Sequence, residues 1–149
     1  MYIEWKEEFN LGNRLIDTQH QMLVLLCRKL DIAIKTKRSD ATIQMVMREL
    51  QKFVEFHFVS EQNLMREIGY PDLSRHTRIH NELLIEMQIE LRRIRHHKEF
   101  PDEVLYALSE WLTAHMRDED SKIAAYVRNS TDRPIGEDLY VKFLPIIGS

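Results

Sequence analysis

The chain has 149 residues, 44% hydrophobic and 30% charged, with a formal net charge of −3. That is about one domain, with enough apolar content for a single core and no basic block for nucleic acid or run of membrane-spanning length. The single cysteine, Cys27, excludes an internal disulfide framework and a thiolate metal cluster.

The N-terminus, Met1-Tyr2-Ile3-Glu4-Trp5, lacks the charged and apolar regions of a secretory leader, so a reducing, cytoplasmic setting is expected. Residues 1–15 read as an arm whose Trp5 and Phe9 cover one end of the fold. Helical period takes over from there. The first helix is expected from about Asp17 to Lys37, with Ile16, His20, Leu23, Cys27, Leu30 and Ile34 along its inward seam. Ser39 or Asp40 caps a second helix reaching roughly Glu67. Its seam is Ile43, Met47, Leu50, Val54, His57, Glu61, Leu64 and Ile68, and Gly69-Tyr70-Pro71 ends it. A third helix runs from near Asp72 to about His97 through Leu73, His76, His80, Leu83, Met87, Leu91 and Ile94. Pro101 falls near the first turn of a fourth, whose face carries Val104, Leu108, Trp111 and His115.

Short breaks between long amphipathic helices predict an all-α, antiparallel up-down four-helix bundle over residues 1–128. Residues 129–149 form an extension. Pro134, Gly136, Pro145 and Gly148 rule out one continuous helix there. Its apolar Leu139, Tyr140, Phe143, Leu144, Ile146 and Ile147 fit docking on the bundle or on a protein partner. Four Gly and four Pro in the whole chain leave little turn chemistry for a β-fold, and no glycine-rich phosphate loop is present.

The seams contain polar residues where a core wants apolar ones. His20, His57, Glu61, His76, His80 and His115 all fall on inward positions, and they include five of the seven histidines. One histidine on an apolar face is ordinarily a hydrogen-bonded core residue. Five of them with a glutamate leave many buried nitrogens and a carboxylate in need of partners, which a cation supplies. His57 and Glu61 lie four apart in "HFVSE", as do His76 and His80 in "HTRIH", so each pair shares a helix face.

The acid that completes the set comes from "WLTAHMRDED". Steps of three or four beyond His115 reach Asp118 or Glu119 and then put Lys122 on the apolar face. Counting back from Ile123 and Val127 selects Asp120 instead, five after His115. One extra residue absorbed in a π-type turn brings His115 and Asp120 to the same face, with Asp118 and Glu119 toward solvent. Five imidazoles and two carboxylates suit iron, zinc, copper or nickel over an all-oxygen magnesium or calcium site. Seven donors exceed the needs of one such ion and match two that share bridging carboxylates. The Glu-x-x-His pattern of ferritin-like di-iron bundles is absent, and so histidine-rich a site favours reversible binding over oxygenation.

At these residues the chain resembles the bacterial hemerythrins, over positions 1 to about 128. Trp5, the "IDTQH" segment from Ile16 to His20, "HFVSE", "HTRIH" and "WLTAHMRDED" carry the resemblance. It implies two non-heme iron ions with an oxo or hydroxo bridge. His76, His80 and His115 hold one iron, His20 and His57 the other, and Glu61 and Asp120 span both. The less crowded iron keeps a position for dioxygen. Reversible oxygen binding for storage, delivery or scavenging is the function implied. The alternative is a domain sensing oxygen or nitric oxide that signals through the bundle or the C-terminal extension. An enzyme, such as a di-iron peroxidase or nitric oxide reductase, is not expected, and adventitious zinc binding is the plainest rival. Leu23, Trp111, Met116 and Ile123 are the expected oxygen-pocket residues. Met116 departs from the branched aliphatic common in the family, bringing a flexible, oxidisable thioether. Gln62 stands where an acid is common.

Overall fold

The computed structural model describes residues 4–96 and 101–129. Helix α1, Arg14–Lys35, starts earlier than the spacing of Asp17 predicts, because Asn13 is the N-cap and accepts the Ile16 N–H. Asp17 sits in the first turn, where its carboxylate accepts the Leu11 and Gly12 N–H groups at 2.8 and 3.1 Å. That holds the incoming chain against the helix N-terminus. Helix α2, Asp40–Ile68, is capped by the Ser39 hydroxyl, which accepts the Thr42 N–H. It stops at Gly69, whose φ of 66° is the left-handed C-cap conformation. Helix α3 spans Leu73–His96 and α4 spans Pro101–His115.

The chain then makes one π-helical turn, Met116–Asp120, and continues as α5, Ser121–Asn129. This is the inserted residue inferred from the seam: α4, the π turn and α5 form one rod with its register shifted in the middle. The rods pack α1 on α2, α2 on α3, α3 on α4, and α4 back on α1, closing an antiparallel four-helix bundle. None of the described helices is long and apolar enough to cross a membrane. The apolar extension expected beyond residue 129, and the His97 end of the third helix, lie outside the described residues.

Burial follows the seams with one shift. Leu112 is buried on the fourth rod while Trp111 is half-buried, so the inward row passes through Leu108, Leu112 and His115. A bundle helix buries a stripe wider than a single row of steps, and Trp111 lies at its edge. Trp5 also packs against the main core, edge-on to Phe9 with ring centroids 5.5 Å apart.

The buried side chains form two apolar clusters. The larger includes Leu23, Cys27, Leu50, Phe58, Met87, Leu108, Leu112 and Met116. The smaller, at the end where α2 turns into α3, contains Ile16, Leu64, Met65, Tyr70 and Ile123. In chain order His20 lies between Ile16 and Leu23, Glu61 between Phe58 and Leu64, and Asp120 between Met116 and Ile123. The polar set is thus a layer between two apolar plugs.

A Cβ on Gly69 would meet nothing within 4 Å, so only its backbone conformation opposes substitution. Gly69→Ala should therefore lower unfolding free energy by about 1–2 kcal/mol, measured by chemical denaturation, with metal content unchanged.

Candidate metal centre

Seven side chains from all four rods meet in this layer: His20, His57, Glu61, His76, His80, His115 and Asp120, all buried. Glu61 divides its two oxygens. Oε1 faces His57 Nε2 at 3.1 Å and His20 Nε2 at 3.6 Å, while Oε2 faces His80 Nε2 at 3.1 Å and His76 Nε2 at 3.6 Å. Asp120 makes the same division. Its Oδ2 lies 2.8 Å from His20 Nε2, and its Oδ1 lies 3.0 Å from His115 and 3.2 Å from His76. The donors therefore form two compartments able to hold metal, His76–His80–His115 and His20–His57, with one oxygen of each carboxylate turned to either side.

The residues fit cations better than they fit one another. Both Glu61 oxygens, Asp120 Oδ1 and the Nε2 atoms of His76, His80 and His115 are buried without an aligned hydrogen bond. His57 makes the point most sharply. Its Nδ1–H donates to Gln19 Oε1 at 2.7 Å, and the Gln19 amide is oriented by donating to Ser60 Oγ at 2.9 Å. A neutral His57 ring then presents an Nε2 lone pair to a carboxylate oxygen 3.1 Å away. Only a proton or a metal ion reconciles that contact. Leaving a buried carboxylate uncompensated costs several kcal/mol, and two are stacked into this layer.

Without metal, protons do the compensating. Burial disfavours the charged form of His20, but the Asp120 and Glu61 carboxylates outweigh it and push the imidazole up to about 9. His76 is raised to about 9 by the same competition. His80 moves the other way: burial, with the neighbouring His76 and His115 imidazoles, outweighs Glu61. Burial also works against ionising Glu61 and Asp120. The surrounding imidazoles overcome that, and both carboxyls are held below their usual range.

The ligand rings are also gripped from outside. Phe58 stacks on His80, with centroids 3.8 Å apart and planes within 6°, and meets His57 and His115 at wider angles. The Gln62 amide nitrogen lies 3.0 Å from His80 Nδ1. Turning the carboxamide over presents its oxygen to an Nδ1–H, the arrangement a metal on Nε2 requires. Gln19 and Phe58 stand next to His20 and His57 in sequence but off the seam rows, and the row count passed over both. Their signal was adjacency: a carboxamide and an aromatic ring one residue from a donor.

Two further expectations need adjustment. Asp118 is exposed as expected, but Glu119 is only 16% exposed. Arg75 holds it with two hydrogen bonds, at 2.7 and 3.0 Å, tying the π turn to the start of α3. The expected pocket residues also separate. Leu23 and Met116 line a cavity of about 10 Å³ together with Val24, Cys27, Ser109, Leu112 and Thr113. Trp111 is absent from that lining, and Ile123 belongs to the small cluster. Trp111 falls on the neighbouring face of α4, and Ile123 lies one turn past the acid.

A four-helix bundle with a buried, two-compartment histidine and carboxylate layer defines a class of bundled metal-binding proteins. The hemerythrin HHE cation binding domain model matches residues 11–127. A bacteriohemerythrin of Pseudomonas aeruginosa is 34% identical over 130 residues, covering 87% of this chain and 84% of the relative. One from Stenotrophomonas maltophilia is 33% identical over 125 residues, 83% and 80% of the two chains. One from Campylobacter jejuni is 30% identical over 118 residues, 78% and 89%. The chain belongs to the hemerythrin HHE family.

The raised imidazoles fix the sign of two pH effects. In the metal-free chain their contribution to stability is complete below 6.5 and is lost as pH rises toward 9. The depressed carboxyls contribute fully above their ordinary range of about 4 and lose that as pH falls below it, through their lower folded-state values. Metal-free chain should thus be most stable between pH 5 and 6.5 and soften toward 9. Metal must displace the imidazole protons, so its affinity should increase over the interval in which stability falls. Thermal melts and metal titrations across that range check both.

Proposed function

We propose that the chain binds molecular oxygen reversibly at a non-heme di-iron centre, serving oxygen storage, delivery or scavenging. The observation that carries this is the asymmetric split of the donors. Three imidazoles face one compartment and two face the other, while Glu61 and Asp120 give one oxygen to each. His76, His80 and His115 would hold one iron, His20 and His57 the second, with an oxo or hydroxo group completing the bridge. The two-imidazole side is the one with coordination to spare. Such a pair of irons supplies the two electrons that dioxygen takes on binding and gives back on release.

The chain's own residues favour binding over turnover. Leu23 lies one turn beyond His20, and Met116 follows His115 directly. Both line the small cavity, which has room for about one water-sized molecule. Its hydroxyls are engaged: Ser109 Oγ donates to the Tyr106 carbonyl and Thr113 Oγ1 to the Ser109 carbonyl, each at 2.8 Å. Burial pushes the Cys27 thiol in the same wall up to about 12, so it stays protonated. Nothing among these lining groups is poised to deliver a proton, and exclusion of protons and water would slow irreversible oxidation of the iron by a bound gas.

Chain loaded with ferrous iron without air should gain a visible absorption band when oxygen is admitted and lose it when oxygen is purged, over repeated cycles. Permanent oxidation on first exposure would remove the reversible reading. Leu23→Phe fills the cavity, and should slow oxygen uptake at least tenfold while iron content stays the same. An unchanged uptake rate would place gas entry elsewhere.

A further inference from the structure

The outer surface of the α1–α2 hairpin carries a second apolar seam that the bundle does not use. On α1 it runs Met22, Leu25, Lys29 and Ile32, and on α2 Met45, Glu49, Lys52, Phe56 and Val59. Both rows alternate steps of three and four, the spacing of a coiled-coil seam. Ten large hydrophobic side chains are exposed among the described residues, and six stand in these two rows: Met22, Leu25, Ile32, Met45, Phe56 and Val59. Their exposures run from 42% for Met22 to 65% for Met45. Single exposed hydrophobics need no explanation, but six on one face are a patch.

The two rows lie on one continuous face. Lys29 Nζ reaches Glu49 Oε2 at 2.7 Å across the α1–α2 crevice, both side chains being about half exposed. Following the antiparallel helices away from that bridge puts Met22 beside Phe56 in one direction and Ile32 beside Met45 in the other.

We infer that this face is the contact between two copies of the chain, related by a two-fold axis parallel to α1 and α2. The charges select this occupant and this axis. Rotation about such an axis lays each copy's α1 on the other's α2 at the same height. Lys29 of each copy then meets Glu49 of the other, Met22 meets Phe56, and Ile32 meets Met45. The face is self-complementary, as an isologous interface must be. The Lys29 and Glu49 pair fixes the register, and the apolar neighbours supply the attraction.

Size supports the same conclusion. Side chains of this kind carry on the order of 150–200 Å², so half exposure of six leaves about 500–600 Å² of apolar surface per copy, the top of the range for a monomer's largest patch. Two such faces approach the roughly 1,200 Å² at which specific interfaces begin. Dimerisation on this face leaves the metal donors, which point into the bundle, untouched.

Sedimentation of the full-length, iron-loaded chain over a dilution series should show a monomer–dimer equilibrium. Lys29→Glu and Glu49→Lys, each made alone, should both sediment as monomers, because like charges then meet across the axis. Mixed in equal amounts, the two variants should recover the dimer, as every contact becomes a glutamate against a lysine. Neither variant restores the bridge within its own chain, so recovery reports contact between copies. Leu25→Glu with Phe56→Glu should give a monomer with unchanged iron content and helical circular dichroism. A monomeric parent chain, a dimer that survives the paired glutamates, or a mixture that stays monomeric would each overturn the inference. The first of these would assign the face to a different protein.

Discussion

Two carboxylates with no access to water organise this molecule. Glu61 lies within 4 Å of four imidazoles and Asp120 within 4 Å of three, each set drawn from three rods. Burying them is unfavourable until cations or protons arrive, so the layer cannot be credited to folding in the way an apolar layer can. It needs compensation by bound cations or by protons on the imidazoles, and the rest of the structure holds the donors in place against that cost. The two apolar clusters lie on either side of it. The π turn sets Asp120 on the face of His115, and the Arg75–Glu119 pair anchors that turn to α3.

The same arrangement explains the division of labour around the rings. An imidazole that offers Nε2 to a metal must dispose of its Nδ1 proton. Gln19 Oε1 accepts a hydrogen bond from the His57 Nδ1–H, while Phe58 holds His80 by stacking. Leu23 and Met116 add apolar walls beside the donors without adding a titratable group. The outward seam on α1 and α2 is independent of all this. One pair of helices carries two rows of apolar residues on different faces, the inner for the bundle and the outer for a second copy.

The bundle and its seven inward donors were legible in the sequence because both follow from periodicity. Glu61 and the five histidines stand at steps of three or four along otherwise apolar rows. Asp120 was legible from a break in the period, since only a five-residue step keeps both His115 and Ile123 inside. Row counting failed where burial is wider than a row. Leu112 is buried beside Trp111, which packs on the core from its edge, and Gln19 and Phe58 were passed over although they touch the ligand rings. Long-range pairing was also invisible: nothing in "RDED" says that Arg75, 44 residues earlier, holds Glu119. The grouping of Leu23 and Met116 apart from Ile123 likewise depends on which side of the polar layer each rod is crossing.

Titration of metal-free chain with ferrous iron in the absence of oxygen, with iron counted per chain after removal of excess, tests the central claim most directly. Two irons should be retained per chain, with the melting temperature rising as both compartments fill. Retention of one iron or none, or a melting temperature indifferent to loading, would show that the buried carboxylates are balanced by protons alone and that the two-metal layer does not exist.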